Sequence, residues 1–333
     1  MTTAIDLHTH VVPERFPQYV GRGTNVPWPS MADAHACHKH VMISGSVYRT
    51  VSDGAWSVPR RIEAMNEMRV ARQVISPMPE LLSYWLPLED AQVLIRYLND
   101  EIAAMVERAP DRLIGLGAVP LQDVDAAIRE LEYVTGSLGF PGVEIASHIN
   151  GVSIGDARFE PFFAAVKQLG AAVFVHALRP AGQERNVGAF PEQAVCFPGE
   201  IALAAASMIT GGTAERHPEL RIAFSHCGGA LPILLPRLDH AWNVVPKAKE
   251  SLPQSPSTYA RRFYYDTVLF DPTALRFAAD AYGVSQLIVG SDYPFAMGDP
   301  DPVGRLANAG FAPDAMQAIL SWNARRFLGD GAP

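Results

Sequence analysis

Short apolar runs alternate with longer amphipathic stretches along almost the whole chain. Runs such as AAVFVH (171–176) and QLIVGSD (286–292) are apolar up to a polar end, which is typical of parallel strands buried on both faces. Stretches such as 88–110 and 123–139 repeat apolar residues at three- and four-residue steps, which predicts helices packed on a sheet. The eight predicted strands are 4–8, 73–77, 113–119, 142–146, 171–176, 221–226, 262–268 and 286–292.

Eight strand–helix units predict an α/β fold, and specifically a closed (β/α)8 TIM barrel. An open, doubly wound sheet is the alternative. Residues 11–58 interrupt the rhythm, because they are rich in Pro, Gly, Ser and His and have little helical period. We interpret them as an insertion after strand 1 that caps the barrel mouth, where functional loops collect. The expected organisation is therefore a single domain over residues 1–333 with a cap at about 11–58.

The composition of the chain mainly excludes classes of partner and location. The 333 residues are 48% hydrophobic and 19% charged, with a net charge of −8. This acidity disfavours nucleic-acid and anionic-membrane partners, whereas a few local arginines still suit a small anionic substrate. The three cysteines have no paired spacing, and neither a signal peptide nor an apolar run of membrane-spanning length is visible. A cytoplasmic protein is expected.

The candidate chemistry lies at the ends of the predicted strands. In DLHTH (6–10), residues two apart on a strand point the same way, so His8 and His10 both aim into the barrel mouth. His176, His226 and Asp292 each end another apolar run. Imidazoles and a carboxylate gathered at one rim predict a divalent metal site. The remaining histidines are assigned to a solvated loop (His35, His38 and His40) or to structural roles (His148, His217 and His240).

Together these motifs resemble the amidohydrolase superfamily, in the branch of aminocarboxymuconate-semialdehyde decarboxylase and γ-resorcylate decarboxylase. The resemblance covers nearly the whole chain. It rests on DLHTH (6–10), SYWLPLED (83–90), GLGAVPLQD (115–123), GFPGVEI (139–145), FVH (174–176), SHCGG (225–229) and GSDYPF (290–295). It implies one divalent cation, most often Zn²⁺ and sometimes Mn²⁺, with His226 as a catalytic acid or base. The implied ligands are His8, His10, His176 and Asp292.

The resemblance also implies a substrate side of the site. Arg49 and Arg237 would bind substrate carboxylates, with Arg237 reaching the neighbouring site of a homodimer, and Phe295 would line the pocket. The chain departs from the semialdehyde decarboxylase at positions of the pocket wall, which leaves the substrate open. Gly45 replaces a basic residue, and Glu192 and Gln193 stand where a proline and an aromatic residue would.

One further carboxylate, that of Glu144, raises the question of whether the site holds one metal ion or two. Glu144 lies on strand 4, where some members of the superfamily place a ligand that bridges two metals. Only one of the extra ligands that a second metal needs is obvious. A mononuclear site with Glu144 near it is therefore favoured.

The implied function is metal-dependent, non-oxidative decarboxylation of a small unsaturated or aromatic carboxylic acid. Asp292 would both hold the metal and move a proton. Hydrolysis of an ester, lactone or amide by the same metal centre is the alternative, and a metal-binding barrel without catalysis is a third reading. Release of CO₂ distinguishes the first from the others.

Overall fold

The structure is a computed structural model that describes residues 3–329, so the predicted domain's residues 1–2 and 330–333 lie outside it. The strands are β1 (Ile5–Val11), β2 (Ser30–Asp33), β3 (His38–Ile43), β4 (Ser46–Ser52), β5 (Arg72–Pro77), β6 (Leu113–Gly115), β7 (Gly117–Ala118), β8 (Gly142–Ala146), β9 (His148–Ile149), β10 (Val152–Ser153), β11 (Ala172–His176), β12 (Arg221–Phe224), β13 (Tyr264–Asp266) and β14 (Leu287–Ile288). The α-helices are α1 (Val58–Glu67), α2 (Leu88–Arg108), α3 (Val124–Glu132), α4 (Glu160–Gln168), α5 (Glu192–Val195), α6 (Phe197–Thr210), α7 (Thr213–Arg216), α8 (Leu231–Val244), α9 (Pro246–Ser251), α10 (Pro256–Ala260), α11 (Pro272–Tyr282), α12 (Pro302–Asn308), α13 (Pro313–Gln317) and α14 (Asn323–Leu328).

The barrel is formed by parallel strands in the order β1, β5, β6/β7, β8, β11, β12, β13 and β14. β6 and β7 are two halves of one strand, and the amide of Leu116 between them donates to the Ile75 carbonyl at 2.9 Å. The last strand region returns to the first, because Leu7 donates to Val289 at 2.8 Å and Thr9 forms a parallel bridge with Tyr293. The predicted TIM barrel is therefore confirmed, and the open-sheet alternative is wrong.

Apolar side chains from strands around the barrel meet in one cluster that includes Ile5, Val74, Phe174 and Ile288, with Phe327 of α14 packed against them. Contacts between strands on different sides of a barrel can form only through its interior, so this cluster fills it. Burial of each large apolar side chain contributes roughly 1.5–3 kcal/mol. The site therefore lies above a buried apolar core.

The cap differs from the irregular segment that was expected. β2, β3 and β4 form an antiparallel sheet in the order β2-β3-β4. The turn between β3 and β4 has positive φ at Ser44 (54°) and Gly45 (75°), the conformation of a tight two-residue hairpin. His38 and His40 thus lie half-buried on β3 rather than in a solvated loop, whereas His35 is exposed.

Two strand ends also differ from prediction. β12 stops at Phe224 and β14 at Ile288, whereas the predicted strands extended to His226 and Asp292. Both of these residues have positive φ, 51° and 62° respectively, a region that non-glycine residues adopt at a cost and that clusters at functional sites. Each therefore lies in a turn beyond its strand. None of the helices in residues 3–329 combines the length and the apolar character that spanning a membrane requires.

Candidate metal centre

β1 presents two imidazoles towards one point. His8 and His10 are fully buried, and their Nε2 atoms lie 3.0 Å apart. The Nδ1 atom of His8 lies 2.6 Å from Asp266 Oδ2, and that of His10 lies 3.1 Å from the Pro77 carbonyl oxygen. A carbonyl only accepts, so Nδ1 of His10 carries the proton and its Nε2 lone pair is free. The same orientation by an outer partner is usual for histidines that bind metals.

His176 at the end of β11 and Asp292 beyond β14 complete the cluster. Nδ1 of His176 contacts the Ala177 carbonyl at 2.7 Å, and Asp292 Oδ1 lies 3.4 Å from His8 Nε2 and 3.2 Å from His10 Nε2. One possible ligand atom from each of the four residues lies within 4.8 Å of the others. Among residues 3–329, the buried Nε2 of His176 and Oδ1 of Asp292 find no hydrogen-bond partner. Such atoms cost about 1–3 kcal/mol each when left unpaired, so the arrangement fits a bound cation.

The electrostatics of the cluster also suit a cation. Burial lowers the pKa of His10 to about 4 and holds the pKa of His176 well below its usual range. Burial alone would raise the pKa of Asp292, but the charges and hydrogen bonds of His8 and His10 outweigh it and keep this pKa well below the ordinary value. At His8, the charges of Asp292 and Asp266 outweigh burial and raise the pKa to about 10. Asp292 is therefore ionised and His10 and His176 are neutral, as metal ligands must be, whereas His8 carries the positive charge that a bound cation would replace.

His226 lies beside this cluster without being part of it. Its ring centroid is 5.2 Å from that of His8 and 5.0 Å from that of His176. Its Nδ1 lies 3.0 Å from Ser225 Oγ, and its Nε2 has no hydrogen bond to any residue in the described part of the chain. Burial and the nearby charge of His8 lower its pKa. His226 is thus a neutral imidazole with one nitrogen available to a reacting group.

Asp266 was not identified from the sequence, although it ends an apolar strand in the same way as the residues that were. It is fully buried at the end of β13. Its Oδ2 accepts from His8 Nδ1 at 2.6 Å and from the His226 amide at 2.8 Å, while Oδ1 accepts from the Cys227 and Val268 amides at 2.8 and 3.0 Å. One carboxylate therefore fixes both a candidate metal ligand and the turn that carries His226.

Buried polar contacts also fix β1 to its neighbours. Asp6 accepts from the hydroxyl of Ser291 at 2.6 Å and from its amide at 3.0 Å. Arg61 of α1 is fully buried and donates to Thr9 Oγ1 at 3.2 Å and to the His10 carbonyl. The backbone on both sides of the cluster is thereby tied in place.

The pocket above the cluster is lined partly by the cap. A cavity of about 320 Å³ is bounded by Tyr48, Arg49, Thr50, Glu192, Gln193, Asp292, Pro294, Phe295, Ala296 and Met297. The ring of Phe295 stacks on that of His10 at 5.1 Å, and the Arg49 guanidinium carbon lies 4.3 Å from the Phe295 centroid. The structure thus brings Arg49 of β4, Phe295 and the Glu192–Gln193 pair to the site.

Glu144 lies next to the cluster on β8. It is fully buried, and its Oε2 is 3.8 Å from His10 Nδ1. Burial raises its pKa to about 8. It is not among the four residues whose ligand atoms converge.

Arg237 and Gly45 are not brought to the pocket of the same chain. Arg237 is exposed on α8, and the side chains of Ile233 and Leu234 on this helix are 72% and 38% exposed. Gly45 is exposed at the tip of the β3–β4 hairpin.

A family model described as amidohydrolase matches residues 5–329. The chain belongs to the amidohydrolase family. It is 35% identical over 328 residues to 2-amino-3-carboxymuconate-6-semialdehyde decarboxylase from Dictyostelium discoideum, covering 98% of this chain and 91% of the relative.

Two solved structures of decarboxylases share the fold of this chain. The 5-carboxyvanillate decarboxylase of Sphingomonas paucimobilis is 28% identical with a TM-score of 0.72, covering 81% of this chain and 82% of the other. The 5-carboxyvanillate decarboxylase of Novosphingobium aromaticivorans, in complex with manganese and 4-hydroxy-3-methoxy-5-nitrobenzoic acid, is 23% identical with a TM-score of 0.74 over 83% of this chain and 82% of the other. The predicted decarboxylase branch of the superfamily is confirmed, and a carboxy-lyase is favoured over a hydrolase.

Proposed function

We propose that this chain is a metal-dependent, non-oxidative decarboxylase of a small unsaturated or aromatic carboxylic acid, similar to aminocarboxymuconate-semialdehyde decarboxylase. The observation that carries the proposal is the convergence of four buried ligand atoms beside His226, beneath a pocket that contains Arg49. Arg49 has no ion pair or hydrogen bond from its side chain within residues 3–329, so its charge is available to an anionic substrate.

We propose one divalent cation held by His8, His10, His176 and Asp292, with Zn²⁺ as the first candidate and Mn²⁺ as the second. Three imidazole nitrogens and a carboxylate oxygen suit either ion, and the Novosphingobium relative was crystallised with manganese. When bound, the cation supplies Lewis acidity that polarises an oxygen of the substrate or of water.

The protein's own groups then position the acid and deliver a proton. Arg49 binds a carboxylate of the substrate, for which a guanidinium offers two parallel hydrogen bonds. The bond from the substrate carbon to its carboxylate breaks, CO₂ leaves without the bonding electrons, and a proton adds to the carbon. His226 or Asp292 transfers that proton. Phe295 packs between Arg49 and His10 and excludes water from this path.

We further propose that the barrel and its cap form a single domain, that the enzyme is a cytoplasmic homodimer, and that Arg237 serves the partner's site. The exposed Ile233 and Leu234 near Arg237 on α8 are suited to a covered face, and all three cysteines are free. Arg237→Ala should raise KM without changing metal content. Full activity of a monomer in size-exclusion light scattering would contradict the role of Arg237.

The direct test combines metal analysis with a panel of aromatic and muconate-type carboxylic acids. We expect about one metal ion per chain and stoichiometric CO₂ release from at least one acid, with release by His226→Ala slower by about 10²–10⁴-fold. Cleavage of esters, lactones or amides without CO₂ release from any acid would contradict the proposed function.

A further inference from the structure

A second arginine, Arg179, has no role in the function proposed above. It does not line the cavity above the metal cluster but an adjoining narrow cleft, which shares Arg49, Glu192 and Phe295 with that cavity. It follows His176 by three residues and lines a narrow cleft together with His176, Arg49, Asp292 and Phe295. Its Nε donates to Glu80 Oε1 at 3.1 Å, and its Nη2 donates to the same carboxylate. Arg179 is therefore placed where a molecule at the metal cluster extends towards the wall.

Contacts with Trp85, His148 and Glu80 fix the position of Arg179. Its guanidinium carbon lies 3.2 Å from the centroid of the Trp85 ring. Its backbone has a φ of 43°, and its carbonyl oxygen contacts His148 Nε2 at 3.1 Å. The Glu80 side chain is 5% exposed, whereas that of Arg179 is 42% exposed. A buried carboxylate thus fixes a guanidinium that still faces the cleft, which is the preorganisation expected of a ligand-binding group.

The two arginines of the wall differ in charge balance. Arg49 forms no direct ion pair in residues 3–329 and acts on Glu80 only at longer range, whereas Arg179 is neutralised by a direct ion pair with Glu80. Glu192 adds another carboxylate to the same cleft. Nη1 of Arg179 has no hydrogen bond to the described residues. The Arg179–Glu80 pair therefore offers a hydrogen-bond donor without a net positive charge.

We propose that Arg179 is a specificity-determining residue, and that its pairing with Glu80 makes this end of the pocket select an uncharged hydrogen-bond acceptor, such as a carbonyl, over a second carboxylate. With Arg49 engaged by the first carboxylate, a second carboxylate next to Arg179 would lose water beside Glu80 and Glu192 and would meet only a guanidinium that Glu80 already neutralises. The inference rests on the proposed function in taking this cleft as an extension of the substrate pocket.

The test measures binding by calorimetry to the metal-loaded enzyme, using 3-acetylbenzoate and isophthalate. These acids differ only in a ketone against a second carboxylate. The wild type should bind 3-acetylbenzoate about tenfold more tightly, a difference of ~1.4 kcal/mol. Glu80→Gln leaves the charge of Arg179 unbalanced and should shift the affinity ratio about tenfold towards isophthalate. Arg179→Met should weaken 3-acetylbenzoate by about tenfold, as expected for a lost hydrogen bond.

Arg158→Met is the matched control, because Arg158 also pairs with a carboxylate, that of Asp156, but away from the pocket. It should leave both affinities unchanged. A wild type that binds neither acid, or prefers isophthalate, contradicts the proposal, and so does a folded Arg179→Met enzyme with wild-type affinities. Because binding is measured without turnover, failure of the proposed decarboxylation is detected separately, as the absence of CO₂ from the acid panel.

Discussion

In the floor of the pocket, which we define as His8, His10, His176, His226, Asp266 and Asp292, every histidine Nδ1 faces a polar oxygen at 2.6–3.1 Å. In the wall, defined as Tyr48, Arg49, Arg179, Glu192, Gln193 and Phe295, the side chains come from the cap and from segments outside the barrel strands. Only one of them, Arg179, has an ion pair to an acidic residue within the described chain.

This difference has a physical reason. A cation requires ligand atoms at defined distances, so each ring of the floor is fixed by an outer partner. A substrate wall needs only complementary shape and charge, so its residues can change while the metal site stays intact. Changes in the floor should therefore remove metal or turnover, and changes in the wall should alter affinity.

The largest effect is expected from loss of a ligand. His176→Ala, or dialysis of the wild type against a chelator, should lower kcat by about a thousandfold or more, because the Lewis acid contributes several kcal/mol to the transition state. Adding Zn²⁺ or Mn²⁺ should restore the stripped wild type only. His240→Ala, at an exposed histidine of α8, serves as the control and should keep its metal by elemental analysis. Full activity after complete metal removal would disprove the metal site.

The next effect separates chemistry from metal binding within the floor. His226→Ala should lower kcat by about 10²–10⁴-fold, the range for loss of a general acid or base. Metal content should remain at the wild-type level, because His226 is outside the converging set. Loss of the metal in this variant would make His226 a ligand instead.

A smaller effect should follow from Asp266→Asn, which keeps the size of the side chain but removes the charge behind His8. Metal affinity should fall by about 10–100-fold, as for other outer partners of metal-bound histidines, and kcat should fall because the His226 amide loses the same partner. Asp271→Asn is a matched control, since Asp271 caps α11 through the Thr273 and Ala274 amides outside the site. Equal metal affinity in Asp266→Asn and Asp271→Asn would contradict the proposed role of Asp266 in orienting His8.

The smallest effect is expected in the wall. Phe295→Leu removes the stacked ring between Arg49 and His10, an interaction worth about 0.5–1 kcal/mol for a cation on a ring. KM should rise by about two- to fivefold, while kcat and metal content change little. A large fall in kcat with unchanged KM would place Phe295 in the floor instead.

Much of this protein was determined by local sequence pattern. β8 was predicted with its observed bounds, and β5 and β11 to within one residue, because strands buried on both faces leave short runs in which apolar residues predominate. DLHTH marked two side chains that converge in the structure, since alternation along a strand is a local rule.

Only the tertiary structure decided the remainder. The link between His8 and Asp266 joins residues 258 positions apart, and that between Arg179 and Glu80 joins residues 99 apart, so no periodicity records either. The turns at His226 and Asp292 have positive φ because neighbouring strands hold them, for example through the bond from the Asp292 amide to the His8 carbonyl at 2.8 Å. The apolar pattern of a strand depends on residues that are close in sequence. The hydrogen-bond partners that orient a site side chain are distant in sequence and come together only when the barrel closes.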